Sequence, residues 1–161
     1  MKHFYVPVCI LIFFGFFGFA KSTDAYAQSV YGDWGASAAM GFVEIGTSNG
    51  PGNTFSIACN QGNNMIEGSS ISATIFNRPP PRKSNVKVIL DGDIFDLFTD
   101  EHGTFNSNCR VCADQFREII RKIGRSQYML VQFSDGRSSK FSLRGASAAL
   151  HRMKCSDGFY N

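Results

Sequence analysis

Residues 109–145, CRVCADQFREIIRKIGRSQYMLVQFSDGRSSKFSLRG, contain the change of hydrophobic period that decides the fold. In the first half of this stretch, apolar side chains recur at i, i+3, i+4 and i+7, which is the spacing of one helix face. These side chains are Phe116, Ile119, Ile120 and Ile123. The spacing predicts a helix after Cys112.

The charges along this helix support its direction and its end. Asp114 and Glu118 lie toward its start, where the helix dipole favours negative charge. Arg121 and Lys122 lie toward its end, where the dipole favours positive charge. Gly124 follows, and glycine readily takes the left-handed conformation that closes many helices. We therefore expect the helix to end at Gly124.

After the helix, the apolar period changes from 3.6 to 2, which predicts two strands joined by a turn. Along the first strand Met129, Val131 and Phe133 point to one side, and Tyr128, Leu130 and Gln132 point to the other. The dipeptide Asp135-Gly136 is a common hairpin turn, and the second strand runs through Phe141. The stretch thus predicts a helix followed by a β-hairpin.

The rest of the chain predicts a series of short strands separated by turn-forming residues. Trp34 is expected to be a buried anchor, and the proline-rich segment NRPPPRKSN, residues 77–85, a rigid connector. A short helix is expected over residues 146–154. The predicted strands cover residues 40–46, 54–59, 70–76, 86–90 and 94–98. The fold is therefore predicted to be mainly β with one or two helices, an antiparallel β-sandwich or partly closed barrel stapled by disulfides.

The N-terminus has the features of a secretory signal peptide. Phe4 to Ala20 is almost continuously apolar, and Ala25-Tyr26-Ala27 places small residues where a signal peptidase reads them. We expect residues 1–27 to be removed, leaving a single β-rich domain, residues 28–161, in the periplasm or outside the cell. A retained N-terminal anchor is the rival interpretation. No later segment is apolar enough to predict a membrane span.

The charge balance restricts the partners only weakly. The chain has 16 basic and 13 acidic residues, and this small excess does not indicate nucleic acid. We predict a protein partner, without a nucleic acid and without a cofactor. The oligomeric state is not predicted.

Four cysteines remain after the signal peptide, which suits an oxidising compartment. They are Cys59, Cys109, Cys112 and Cys155. Three pairings are possible, and we favour Cys109–Cys112 with Cys59–Cys155. The second bond would close a loop of about 97 residues and stabilise the fold by about 4 to 5 kcal/mol in the chain-entropy model. It would also tether the C-terminus.

The motif Cys109-Arg-Val-Cys112 precedes the predicted helix and has two interpretations. A helix N-terminus favours a thiolate, so the pair suits thiol–disulfide exchange. However, it follows a polar loop, GTFNSN, and no proline follows it in the chain. A structural disulfide is therefore favoured. Zinc binding through the four cysteines is less favoured, because Cys59 and Cys155 each stand alone.

The other titratable residues predict no catalytic or metal site. His102 lies in the polar loop Asp100–Gly103, and His151 lies on the short helix, so both are expected at the surface. No serine–histidine–aspartate set, phosphate loop or paired carboxylates can be identified. Basic residues along one side of the helix are expected to be solvated, with an anionic partner as the minority interpretation. They are Arg117, Arg121, Lys122 and Arg125.

Residues 109–150 resemble the invasion-associated locus B family of exported bacterial proteins. The resemblance rests on Cys112-Ala113, a helix that ends near Lys122 and Gly124, a strand like MLVQF, and the segment Phe141 to Ala149. A similar ending occurs in other small periplasmic proteins, including accessory proteins of type VI secretion. The resemblance implies an exported, disulfide-bonded, non-enzymatic β-protein associated with host interaction or the cell envelope.

Three functions are compatible with these features. The favoured one is a non-enzymatic envelope or host-interaction protein that binds a protein partner through a sheet face or edge. The second is a periplasmic thiol–disulfide oxidoreductase that uses Cys109 and Cys112. The third is a periplasmic inhibitor, immunity protein or secretion-system accessory protein.

Overall fold

The computed structural model describes residues 29–39, 42–60 and 68–155. The predicted signal peptide, residues 1–27, lies outside the described residues. The described residues form ten strands and two helices. In chain order these are β1 (Ser29–Tyr31), β2 (Trp34–Ala39), β3 (Phe42–Ser48), β4 (Thr54–Asn60), β5 (Ser70–Thr74), β6 (Asn85–Leu90), β7 (Asp93–Phe98), β8 (Phe105–Asn106), α1 (Arg110–Ile123), β9 (Tyr128–Phe133), β10 (Ser138–Ser142) and α2 (Ala146–Arg152).

The strands form two open antiparallel sheets. The six-stranded sheet has the order β1-β2-β3-β4-β5-β8, and the four-stranded sheet has the order β10-β9-β6-β7. Most neighbours in the sheets are consecutive in the chain, because short turns join them. The mainly β fold with two helices, predicted from the sequence, is thereby confirmed.

Both sheets bury one face in a shared hydrophobic core, to which α1 and α2 also contribute. Trp34 was expected to be a buried anchor, and its side chain is almost fully buried. Its Nε1 donates a hydrogen bond to the Ser142 carbonyl oxygen at 2.9 Å, and its ring lies 6.3 Å from that of Phe55. The Phe55 ring lies 6.2 Å from that of Phe141, which belongs to the other sheet. These aromatic contacts join the two sheets through the core.

The strands alternate as the hydrophobic period predicts. Along β9, Met129, Val131 and Phe133 are buried while Tyr128 and Leu130 are exposed. The turn at 135–136 joins β9 to β10, as expected. The strands β3 to β7 and both helices lie within a few residues of their predicted positions.

The first two strands and β8 were not predicted. Apart from Trp34, the segment of β2, WGASAA, contains only glycine, alanine and serine, and the side chains of Trp34 and Ala36 are buried. Such residues have low intrinsic strand preference, so this strand depends on its pairing with β3. β8 has two residues and pairs with the edge of β5. Tertiary pairing therefore decides these elements, and local pattern does not.

The helix α1 begins earlier and ends differently than predicted. It starts at Arg110 with Cys109 as its N-cap, and its first turn contains Arg110, Val111 and Cys112 rather than an acidic residue. Asp114 thus lies beyond the first turn. Gly124 ends the helix with φ −65° and ψ −10°, a right-handed conformation, so the predicted left-handed closure is wrong. The Gly124 N–H still bonds to the Ile120 carbonyl at 3.1 Å, which ends the helix without a change of hand.

Side chains of α1 contact the β7 edge of the four-stranded sheet. Gln115 donates a side-chain hydrogen bond to the Asp96 carbonyl oxygen at 2.8 Å. One end of the strand is held by an ion pair between Lys122 and Asp93. Neither helix in the described part of the chain is long and apolar enough to cross a membrane.

Candidate functional site

The four cysteines form the two pairs that the sequence favoured. Cys59 and Cys155 have Cα atoms 5.2 Å apart, and Cys109 and Cys112 have Cα atoms 5.0 Å apart, both ordinary for disulfides. Cys59 lies in β4 and is fully buried, whereas Cys155 follows α2. The first bond therefore ties the end of the described chain to the core, across a sequence separation of 96 residues.

The second disulfide lies at the N-terminus of α1. Cys109 is exposed and has the extended N-cap conformation, and its sulfur accepts a hydrogen bond from the Cys112 backbone N–H at 3.1 Å. Cys112 is half-buried and packs against the core. The pair thus combines an exposed cysteine, a half-buried cysteine and a helix N-terminus, an arrangement that suits thiol exchange.

The loop around His102 is a structural turn. Asp100 accepts hydrogen bonds from the backbone N–H groups of His102 at 2.7 Å and Thr104 at 3.0 Å, and from the Asn106 side chain at 2.9 Å. Burial acts to raise the pKa of Asp100, but these hydrogen bonds lower it overall. Glu101 pairs with Lys83 at 2.8 Å. The acidic side chains of this loop therefore have structural roles: Asp100 binds backbone N–H groups of the loop, and Glu101 forms an ion pair with Lys83.

The predicted basic side of α1 is largely paired with carboxylates. Hydrogen bonds from Arg121 lower the pKa of Glu118 and raise that of the arginine. Among the described residues, no group of three or more His, Cys, Asp or Glu is placed to hold a metal ion. His151, on α2, is exposed. The ion pairs of the basic side are Arg117–Asp114, Arg121–Glu118 and Lys122–Asp93.

A cleft of about 430 Å³ lies where β9 and β10 approach the turn between β1 and β2. Asp33 accepts hydrogen bonds in this cleft from Arg144 at 2.6 Å and from the Ser142 hydroxyl at 2.7 Å. The hydrogen bond from Arg144 has the larger effect in lowering the pKa of Asp33, and the one from Ser142 adds to it. Asp33 therefore joins the two sheets. Because both of its oxygens already accept hydrogen bonds, it is poorly suited to accept a proton from a substrate.

Arg137 is a structural residue that the sequence did not reveal. Its guanidinium donates to the carbonyl oxygens of Ile75 and Arg78, each at 3.0 Å, and of Pro79 at 2.8 Å. It also pairs with Asp135 at 2.7 Å. The β9–β10 turn is thus tied to the proline-rich segment, which agrees with the rigid connector expected there.

The outer face of the four-stranded sheet carries a row of exposed apolar side chains among polar ones. The strand register places Leu130 beside Ile89, and Ile89 beside Ile94, so these side chains form one row across β9, β6 and β7. Ile94 is 58% exposed and Leu130 36%. Tyr128 and Phe98, on the same face, are 52% and 64% exposed. We call this set, Ile89, Ile94, Phe98, Tyr128 and Leu130, the apolar face. The sequence pattern had shown only that these positions alternate with the core.

A family model described as YfjT matches residues 32–150, which is more than half of the 161-residue chain. The chain belongs to the YfjT family. No curated protein and no solved structure matches it. The YfjT match begins just before β2 and ends within α2, so it includes most of both sheets. It contains three of the paired cysteines and stops before Cys155.

Membership of the YfjT family corrects the resemblance to the invasion-associated locus B family, which was wrong. That resemblance depended on residues 109–150 alone, whereas the YfjT match extends over strands of both sheets. The spacer between Cys109 and Cys112 is two residues, shorter than expected for that family. Ala38 also stands where its Trp-x-x-x-Cys motif, begun at Trp34, requires a cysteine. The YfjT match covers nearly three times as many residues.

Proposed function

We propose that this YfjT-family protein is exported to the cell envelope and binds a protein partner through the apolar face, where no catalysis takes place. The observation that carries the proposal is the row of Leu130, Ile89 and Ile94 across three strands. Contiguous apolar side chains on a surface are costly to solvate, and in soluble proteins they commonly mark interaction sites. Four of the eight large hydrophobic side chains that the described residues expose lie on this face.

The outer face of the six-stranded sheet provides a contrast within the same protein. Two cross-strand pairs at its centre are hydroxyls that bond to each other: Thr54 with Thr74 at 2.7 Å and Ser56 with Ser72 at 2.9 Å. The exposed apolar side chains of this face, Val30 and Phe42, do not pair with each other across strands. A sheet face that only meets water is expected to be polar in this way. The row of Leu130, Ile89 and Ile94 is an apolar contact across three strands on an outer face, and this difference supports partner binding there.

The charged side chains around the apolar face indicate which kind of partner surface would fit it. Lys87 and Asp96 are cross-strand neighbours in the row beside it. Lys140 lies over the Tyr128 ring, with its ammonium 4.3 Å from the ring centroid. An aromatic side chain with an adjacent cation suits a binding hot spot. We infer a partner that presents apolar side chains surrounded by charges of both signs.

Leu130→Lys tests this proposal, and Ser48→Lys on the outer face of the six-stranded sheet is its matched control. A lysine at position 130 places a charge in the centre of the apolar face, so we expect affinity for the purified partner to fall at least about tenfold. Ser48→Lys should leave affinity unchanged, and both variants should keep the wild-type melting temperature. The partner is first identified by cross-linking in cells, and titration calorimetry then measures its affinity.

Equal affinities for the wild type and Leu130→Lys would contradict the proposal. If the captured partner is a wall-degrading enzyme, co-expression should protect cells from it, as an inhibitor or immunity protein would. Export is tested separately by cell fractionation and by N-terminal sequencing of the mature protein. We expect the mature chain to begin at Gln28, and a full-length chain in the cytosol would contradict the export part.

A further inference from the structure

The two disulfides differ in how easily an external thiol can reach them. Cys59 is fully buried in β4, so its sulfur cannot be attacked without local opening. Cys109 is exposed on the surface. The Cys109–Cys112 bond spans three positions in the chain, so opening it frees almost no chain entropy. Reduction at this pair can therefore occur while the fold stays intact.

The helix N-terminus favours the thiolate that this reduction would leave. The Cys109 sulfur already accepts the Cys112 N–H, and the other free N–H groups of the first turn of α1 point toward the same end. The helix dipole adds a partial positive charge there. Asp114, the first carboxylate along the helix, is paired with Arg117. The local field thus stabilises a negatively charged sulfur on Cys109.

The contacts of α1 set its direction relative to β7. Gln115 contacts Asp96, and seven residues later Lys122 contacts Asp93. Seven helical residues and three strand residues each span about 10 Å, so the two elements run side by side in opposite directions. The N-terminus of α1 consequently lies toward the Phe98 end of β7.

Exposed apolar side chains accompany the cysteine pair. Val111, between the two cysteines, is 75% exposed, and Phe98 is 64% exposed at the adjoining end of β7. A polypeptide that brings a cysteine to Cys109 can therefore bury apolar side chains against Val111 and Phe98 at the same time. This setting favours polypeptide thiols over small hydrophilic ones.

We propose that Cys109 and Cys112 form a thiol–disulfide exchange site that oxidises pairs of thiols in unfolded or extended polypeptides. A substrate thiolate attacks the Cys109 sulfur and forms a mixed disulfide. The Cys109–Cys112 bond breaks, and its electron pair leaves on the Cys112 sulfur, which takes a proton from water. A second substrate thiolate attacks the substrate sulfur of the mixed disulfide and displaces Cys109 as a thiolate, which is then protonated.

Two electrons and two protons thus pass from the substrate dithiol to the cysteine pair. A disulfide of low molecular weight, such as glutathione disulfide, returns the pair to its oxidised form and is itself reduced to two thiols. The Cys59–Cys155 bond takes no part. The proposal rests on the cysteine pair. It shares Phe98 with the apolar face but does not require the row of Leu130, Ile89 and Ile94.

The first test uses the purified protein equilibrated with graded ratios of reduced to oxidised glutathione, followed by alkylation and peptide mass spectrometry. We expect Cys109–Cys112 to be half-reduced at a ratio at which Cys59–Cys155 stays fully oxidised. In Cys112→Ser, which lacks the resolving thiol, a glutathionyl adduct should accumulate on Cys109. In Cys109→Ser the adduct on Cys112 should be at least about tenfold less, because that sulfur is half-buried.

The second test uses a synthetic apolar peptide with two cysteines as the substrate. The oxidised protein should form one peptide disulfide per molecule, and many per molecule when glutathione disulfide is added in excess. The double variant Cys109→Ser/Cys112→Ser is the control. It should fold normally, because serine is a good N-cap residue, and it should oxidise no peptide.

Three results would overturn the proposal. The first is reduction of both disulfides at the same glutathione ratio. The second is peptide oxidation by the double variant as fast as by the wild type. The third is a wild-type protein that oxidises no peptide although its Cys109–Cys112 bond is intact. Leu130→Lys should retain full exchange activity although it loses partner affinity. Failure of the exchange site can therefore be distinguished from failure of partner binding.

Discussion

Gly145 lies where the start of α2 meets the end of β1. Its φ of 95° belongs to the left-handed region, which favours glycine. A Cβ at this position would overlap the carbonyl oxygen of Tyr31. The nearby backbone is also held by the hydrogen bond from Asp33 N–H to the Arg144 carbonyl at 2.9 Å. Both the backbone conformation and the close approach of Tyr31 therefore require glycine at position 145.

Gly145→Ala should destabilise the protein much more than Gly136→Ala. Gly136 has a similar φ of 88°, but nothing lies within 4 Å of a Cβ placed there. We expect Gly136→Ala to cost about 1 kcal/mol of unfolding free energy, and Gly145→Ala at least about 2 kcal/mol more, because Tyr31 must also shift. Urea denaturation measures both. Equal losses would show that the contact with Tyr31 adjusts freely.

Among the contacts between secondary-structure elements, those of Arg137 join the β9–β10 turn to the segment that follows β5, about 60 residues earlier in the chain. Its side chain extends from the β9–β10 turn to carbonyl oxygens in the segment between β5 and β6. Its guanidinium carbon also lies 4.9 Å from the centroid of the Phe133 ring. Only a planar, forked donor can reach three carbonyls and a carboxylate together. The connection between these elements thus depends on the geometry of the side chain as well as its charge.

Arg137→Lys should lower the unfolding free energy by about 2 kcal/mol, since hydrogen bonds from a charged donor contribute roughly 1.5 to 3 kcal/mol each and lysine can replace only part of them. The matched control is Arg144→Lys. Arg144 also pairs with an aspartate, Asp33, but its side chain is 77% exposed, so we expect little change there. Thermal and urea denaturation of both variants test the difference. A loss at Arg144 as large as that at Arg137 would contradict this account.

For the whole molecule, the two disulfides should contribute very differently to stability. Replacing Cys59 and Cys155 with alanine releases a loop of 96 residues, so we expect a loss of about 4 to 5 kcal/mol in the chain-entropy model. The Cys109→Ser/Cys112→Ser variant opens a loop with two intervening residues and keeps an N-cap at position 109, so its stability should change little. Guanidinium denaturation curves compare the two. Similar losses would mean that Cys109–Cys112 is also a structural bond.

Local sequence patterns were sufficient to predict both helices and seven of the ten described strands. The period of 3.6 over residues 116–123 and the period of 2 over residues 129–143 place α1, β9 and β10, because side-chain direction repeats along a single element. The cysteine content predicted disulfides and favoured one of three pairings, but the structure was needed to choose among them. The periodic patterns require no knowledge of distant contacts. The function expected from the sequence, partner binding by an exported protein, remains a proposal.

Contacts between residues that are distant in the chain determine which elements lie together. The tertiary structure placed Leu130, Ile89 and Ile94 in one row, brought Asp33 to Arg144 across 111 residues, and turned the segment at Trp34 into a strand by pairing it with β3. Hydrophobic pattern shows that a side chain faces inward or outward, but it does not identify its neighbours. The order of strands in a sheet arises from contacts between residues that are distant in the chain, and a local pattern contains no information about them.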